Sequence, residues 1–195
     1  MGGSYISNAG VFLIQTLMGL YALTFMLRFL LQLVRADFYN PFSQFLVKVT
    51  NPIVKPLRKV IPGIGGIDWA SIIAVILLML AEFLLIGLLP KYSIPSPQGL
   101  FVLALAETLS LLANIFLFSI IIQAVISWIN PGSYNPIIGL LSQLTAPILN
   151  PVRRYIPPIS GLDLSPMVAI IGLYLVMMLF IQPLTDLGNQ LAYLQ

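Results

Sequence analysis

The chain has 195 residues, of which 59% are hydrophobic and only 8% charged, with a mean hydropathy of +1.01. A soluble domain carries about a quarter charged residues, so too little polar surface is available to face water and the solvent must be lipid. The absence of Cys and His removes thiolate and disulfide chemistry, the commonest general base and the usual transition-metal and haem ligands, and no cofactor is expected.

The N-terminal stretch MGGSYISNAG holds no Lys or Arg and leads into an apolar run of more than twenty residues. That pattern predicts a retained span rather than a cleaved signal peptide. Crossing a hydrocarbon core takes roughly twenty helical residues, and the first such stretch is Val11–Val34, which contains Arg28. A proline-punctuated connector follows. Asn40 is placed to cap a helix whose first residue is Pro41, where a missing N–H costs nothing. Phe42, Phe45, Leu46, Val49 and Ile53 then recur at helical spacing, while Lys55, Arg58 and Lys59 form a basic strip. Pro52 and Pro56 are expected to interrupt the helix. A helix too short to span, apolar on one side and basic on the other, lies in the membrane interface. The connector is therefore expected as a broken helix resting on a leaflet. Gly66 permits a tight turn, and Asp68 can cap the second span, Trp69–Leu89, which carries Glu82.

The third span, Phe101–Ile129, carries Glu107. A second connector then repeats the phrase: Asn135-Pro136, the apolar Ile137, Ile138, Leu141, Leu144 and Ile148, the basic Arg153 and Arg154, then Gly161 and Asp163. The fourth span is Leu164–Pro183. Shifting the chain by 95 residues superimposes the two phrases, with 13 of 32 aligned positions identical and no gap. Shared greasiness alone does not give that identity, so the chain is a tandem of two units, residues 1–95 and 96–195. The expected fold is all-α: four transmembrane helices arranged as two parallel helix–amphipathic connector–helix repeats.

An even number of spans per unit puts both connectors on one side. They hold Arg35, Lys48, Lys55, Arg58, Lys59, Arg153 and Arg154, against Lys91 alone on the opposite side. This positive-inside bias predicts cytoplasmic connectors and periplasmic termini. The basic strips read either as topology anchors or as a docking patch for anionic lipid or a partner. Arg58 and Asp68, like Arg153 and Asp163, are ten residues apart. Either each pair ties a connector to the following span, or the aspartates simply cap.

Arg28, Glu82 and Glu107 are the charges within the spans, and each is a candidate site because such groups are costly in hydrocarbon. Glu82 and Glu107 are placed to meet at one level and share a proton or cation. Arg28 lies deeper, within conceivable reach of Glu82. A protonated Glu bonded to Asn114 is the structural alternative. Gln123 and Met177 replace Arg28 and Glu82 in the second unit, so this centre is not duplicated.

The stretches NPFSQFLVKVTNPIVKPLRKVIP and GGIDWA, and their counterparts NPIIGLLSQLTAPILNPVRRYIP and SGLDLSP, resemble the YggT repeat in double copy. The SWINP of Ser127–Pro131 matches the family's usual end to the first helix. In copy one Gln32-Leu33-Val34 replaces the Ser-Trp element, and Ala70-Ser71 replaces Ser-Pro. The resemblance spans about Tyr21 to Pro183. It implies an integral protein of the bacterial cytoplasmic membrane, with single-repeat relatives in plastids and roles in osmotic or potassium homeostasis, division, envelope organisation or membrane-complex assembly. It supplies no catalytic motif.

Two functions compete. One is a non-enzymatic scaffold acting through its basic connectors. The other is a component or modulator of monovalent cation transport using Glu82, Glu107 and Arg28. The partners implied are an anionic bilayer, a cytoplasmic or membrane protein, and a second copy of the chain. Nucleic acid is not expected.

Overall fold

Backbone polar groups in hydrocarbon must be satisfied within their own segment, and the apolar runs accordingly form helices. The computed structural model describes residues 2–37, 39–129, 135–156 and 163–193. Its elements are α1 (Gly2–Leu33), α2 (Pro41–Val60), α3 (Trp69–Gly87), α4 (Pro97–Ile129), α5 (Pro136–Tyr155) and α6 (Ser165–Val176). A π-helical turn (Met177–Ile181) and α7 (Gln182–Tyr193) complete the chain. Among the described residues, four helical stretches are long and apolar enough to cross a membrane: Tyr5–Leu33, Trp69–Gly87, Pro97–Ser127 and Ser165–Tyr193. The protein is an all-α membrane protein with two helix–connector–helix units.

Three boundaries differ from expectation by more than two residues. Helix α1 begins well before Val11. Helix α4 begins at Pro97 rather than Phe101, because Ser96 caps it: the Gly99 N–H donates to Ser96 Oγ at 3.2 Å, with Pro97 at the first position. The fourth span runs on past Pro183 to Tyr193. The widened turn, in which the Gln182 N–H reaches back to Met177 O, immediately precedes Pro183, which has no N–H to donate.

The connectors are also not broken. Helices α2 and α5 are each continuous over twenty residues, with Pro52 and Pro56, or Pro147 and Pro151, inside them. All four prolines are exposed, so the carbonyls they leave without a helical donor lie on the outer side, where other partners can reach them. The inner side carries the packing. Ser43, Leu46, Thr50 and Val54 of α2 are buried in one stripe. Helix α1 ends with Arg35 in a left-handed conformation (φ 54°) and the Ala36 N–H on Leu31 O, a Schellman-type stop.

The core repeats with the sequence. Phe25, Val54 and Ala74 sit in the main cluster between α1, α2 and α3. Their equivalents under the 95-residue shift, Ile120, Leu149 and Ala169, form the cluster between α4, α5 and α6. On the face opposite the connectors, α1 meets the loop after α3 through Ser7 Oγ on Pro90 O at 2.8 Å. Helix α7 meets the start of α4 through Ser96 N on Ala192 O at 3.1 Å. Gly99 lies directly against Ala192 there, in space that any Cβ would overlap. Gly172 has open space around its Cα instead.

Candidate functional site

The polar residues of the first unit converge where α1, α2 and α3 meet at the connector face. Arg28, five residues from the end of α1, is buried. Its guanidinium turns toward the connector and donates to Thr50 Oγ1 at 2.7 Å and Asn51 Oδ1 at 3.1 Å. It also lies 3.6 Å from Asp68. Thr50 in turn donates to Leu46 O at 2.6 Å within its own helix. Arg58 approaches Asp68 from the other side through two bonds, 3.2 Å from Nε and 2.6 Å from Nη2, the fork geometry that suits a carboxylate. The Ser71 hydroxyl donates to Asp68 at 2.6 Å, and Arg58 also reaches Gln32 Oε1 at 3.3 Å. One carboxylate is thus shared by two guanidiniums and a hydroxyl.

The second unit repeats this with one charge fewer. Arg153 Nε donates to Asp163 Oδ2 at 2.9 Å, and its Nη2 lies 2.9 Å from the same oxygen as an ion pair. Thr145 contacts Gln123, which stands where copy one has Arg28. Asp163 also accepts the Ser165 N–H at 2.9 Å, so it caps α6 and ties the connector at once. Asp68 occupies the N-cap position of α3 but makes no side-chain bond to a backbone N–H there.

Burial pushes the carboxyls of Asp68 and Asp163 up. For Asp68 the bonds from Arg58 and Ser71 and the two Arg charges outweigh that penalty. For Asp163 the Ser165 and Arg153 interactions do so. Both carboxyls are held below the usual range, so both stay ionised at neutral pH.

The five bases grouped by sequence therefore divide. Arg58 and Arg153 are each paired with an aspartate while keeping 42% and 36% of their side chains exposed, whereas Lys55, Lys59 and Arg154, like Lys48, are exposed on the outer side of the connectors. Asn40 and Asn135 both cap, accepting the Phe42 and Ile137 N–H groups at 2.9 Å, with Pro41 and Pro136 at the first helical position. Gly66 has φ 79° and its neighbour Gly65 φ 68°, the left-handed turn between α2 and α3 that glycine makes without strain. Gly161 lies outside the described residues.

Arg28 and Asn114 do not take the places beside the glutamates expected of them. Arg28 does not reach Glu82, because its guanidinium turns toward the acceptors and the carboxylate at the connector end. Asn114 does not serve a glutamate: its Nδ2 donates to Ser110 O at 2.9 Å in its own helix. Glu82 is buried in α3 and Glu107 is exposed on α4. They are near enough for the Glu107 charge to act on Glu82. Among the described residues no group of three or more His, Cys, Asp or Glu is placed to hold a metal ion.

Two parallel hairpins of membrane helix, each locked through Arg and Asp to a basic connector helix, define an integral membrane protein built by duplication. The CCB3/YggT family model matches it twice, over residues 7–89 and 102–184, and the chain belongs to that family. An uncharacterized protein of Pseudomonas aeruginosa is 45% identical over 191 residues, covering 96% of this chain and 97% of the relative. The uncharacterized protein YggT of Escherichia coli (strain K12) is 40% identical over 185 residues, 94% and 95% of the two chains. YlmG homolog protein 2, chloroplastic, of Arabidopsis thaliana is 38% identical over 71 residues, 36% of this chain and 28% of that one. No solved structure matches.

Proposed function

We propose that the protein is a non-enzymatic scaffold of the bacterial cytoplasmic membrane, acting in envelope organisation, division or membrane-complex assembly. Its termini are periplasmic. Its connectors lie along the inner leaflet and present their bases to anionic lipid or to a cytoplasmic or membrane partner. The observation that carries this reading is the Arg58–Asp68 and Arg153–Asp163 pairing. It pins each connector to the next span and leaves Lys55, Lys59 and Arg154 outward on a helix held in a fixed pose. Preorganised surface charge suits docking, since little ordering entropy remains to be lost on contact.

The test is copurification from native membranes with mass spectrometry. A protein partner should be lost when Lys55, Lys59 and Arg154 are changed together to Gln, and retained in Glu82→Gln. The opposite order sinks the scaffold.

A second reading, modulation of monovalent cation movement, is favoured by the burial of Glu82 within range of the Glu107 charge. Liposome flux that survives both Glu82→Gln and Glu107→Gln removes it.

A further inference from the structure

Two grooves share one wall. Leu23 and Leu27 of α1 and Val34, just past its end and still bonded to Leu30 O, are spaced by four and seven residues and so line one stripe. Leu23 and Leu27 face Phe118 and Ile122 of α4 across an apolar groove of about 400 Å³. Val34, about 10 Å further along the same stripe, borders a polar groove of about 370 Å³ whose other wall is Gln143, Asn150 and Arg154 of α5. The apolar groove lies within the spans and the polar groove at the connector face. Pro147 and Pro151 also line the polar groove. Lacking N–H groups, they leave the Gln143 and Pro147 carbonyls without helical donors, two further acceptors on that stripe.

The corresponding stripe in copy one is Lys48, Lys55 and Lys59. General attraction to an anionic surface needs only charge, and copy one supplies it. Copy two has exchanged two lysines for amides and one for arginine. Those groups make directed bonds, the guanidinium suiting a phosphate and the amides suiting hydroxyls.

We propose that the seam between the two copies binds one anionic glycerophospholipid with a hydroxyl-bearing headgroup. Its phosphate lies on Arg154, its headgroup hydroxyls on Gln143, Asn150 and the freed carbonyls, and an acyl chain along the groove between Leu27 and Ile122. A soluble phosphate would use only the polar groove. A lipid uses both, and the two lie one above the other across the polar–apolar boundary. This rests on the lipid-facing part of the proposed function and deepens it by naming the lipid class and its site; loss of a protein partner in the copurification test would leave it standing.

The test is native mass spectrometry of the full chain in mild detergent, titrated with phosphatidylglycerol or phosphatidylcholine. Phosphatidylglycerol should bind more tightly, and Arg154→Gln should weaken it about tenfold, the loss of one charge-assisted contact. Lys59→Gln, the same charge change at the equivalent place in copy one, should weaken it less than about twofold. Leu27→Trp and Ile122→Trp, from opposite walls of the apolar groove, should each weaken lipid binding, and glycerol phosphate should not displace the lipid. Equal losses in Arg154→Gln and Lys59→Gln would mean diffuse attraction and overturn the site. So would unchanged binding in both tryptophan variants, or full displacement by glycerol phosphate.

Discussion

Arg28 donates to Thr50 at 2.7 Å, fastening the first span to its connector beneath the Asp68 carboxylate. At the equivalent place Gln123 meets Thr145. The Thr145 hydroxyl has one proton and lies 2.9 Å from Leu141 O. With the Gln123 amide turned so that its NH₂ donates, that proton goes to Leu141 O. The chain of bonds then matches Arg28 to Thr50 to Leu46. The two copies keep the same link and differ in its charge.

That difference predicts unequal costs. Asp68→Asn leaves the buried Arg28 without its anion and should cost about 3 kcal/mol. Asp163→Asn strands only Arg153, which is 36% exposed in its side chain, and should cost about 1 kcal/mol after solvent screening. Adding Arg28→Gln to Asp68→Asn should recover much of the larger loss. Unfolding midpoints in detergent measure all three, and equal losses for the two Asp variants contradict the network.

The same carboxylates set the pH response. Their folded pKa values are depressed, so the stability they contribute is present above the ordinary Asp value and is lost as pH falls through the folded values. Connector docking should be flat from about pH 8 to about pH 4 and fail only below that. Trp69 follows Asp68 directly, and its fluorescence should report the transition. Asp68→Asn should abolish it at that probe.

On the opposite face, Gly99→Ala should push α7 off α4, because the added Cβ overlaps the Ala192 backbone. An overpacking cost of about 2 kcal/mol is expected, with faster hydrogen exchange at the Ser96 amide. Gly172→Ala meets nothing within 4 Å and should be neutral or slightly stabilising.

Sidedness is open to a direct measurement because the chain has no native Cys. Lys55→Cys and Arg154→Cys should react with an impermeant maleimide only after the cytoplasmic membrane is opened. Lys91→Cys should react from outside. Labelling at position 55 or 154 in intact spheroplasts contradicts the proposed orientation.

Much of this was legible in residue order. The four spans, the duplication and the Asn-Pro caps follow from hydropathy and from spacing, both local signals. The ten-residue Arg–Asp spacing pointed to the link between connector and span, because both ends recur together. What escaped was direction. Burial of Arg28 marked it as a site, but only packing shows its guanidinium turning to Thr50 and Asp68 rather than to Glu82. The continuity of α2 and α5 through their prolines was equally hidden, since it depends on which side of the helix each ring occupies. Thr50 and Thr145 were visible as an identity between copies, with nothing local to mark them as junction hydroxyls.

The widened turn at Met177–Ile181 carries one residue more than a regular helix would use, and one residue rotates everything after it by about 100°. Gly188 and Ala192, the small residues buried beneath α4, owe their bearing to that rotation. Removing a single residue from the turn would swing both toward lipid and bring bulkier neighbours against Gly99 and Leu103. The extra residue acts as an indexing step that seats the last helix of the second hairpin on its first.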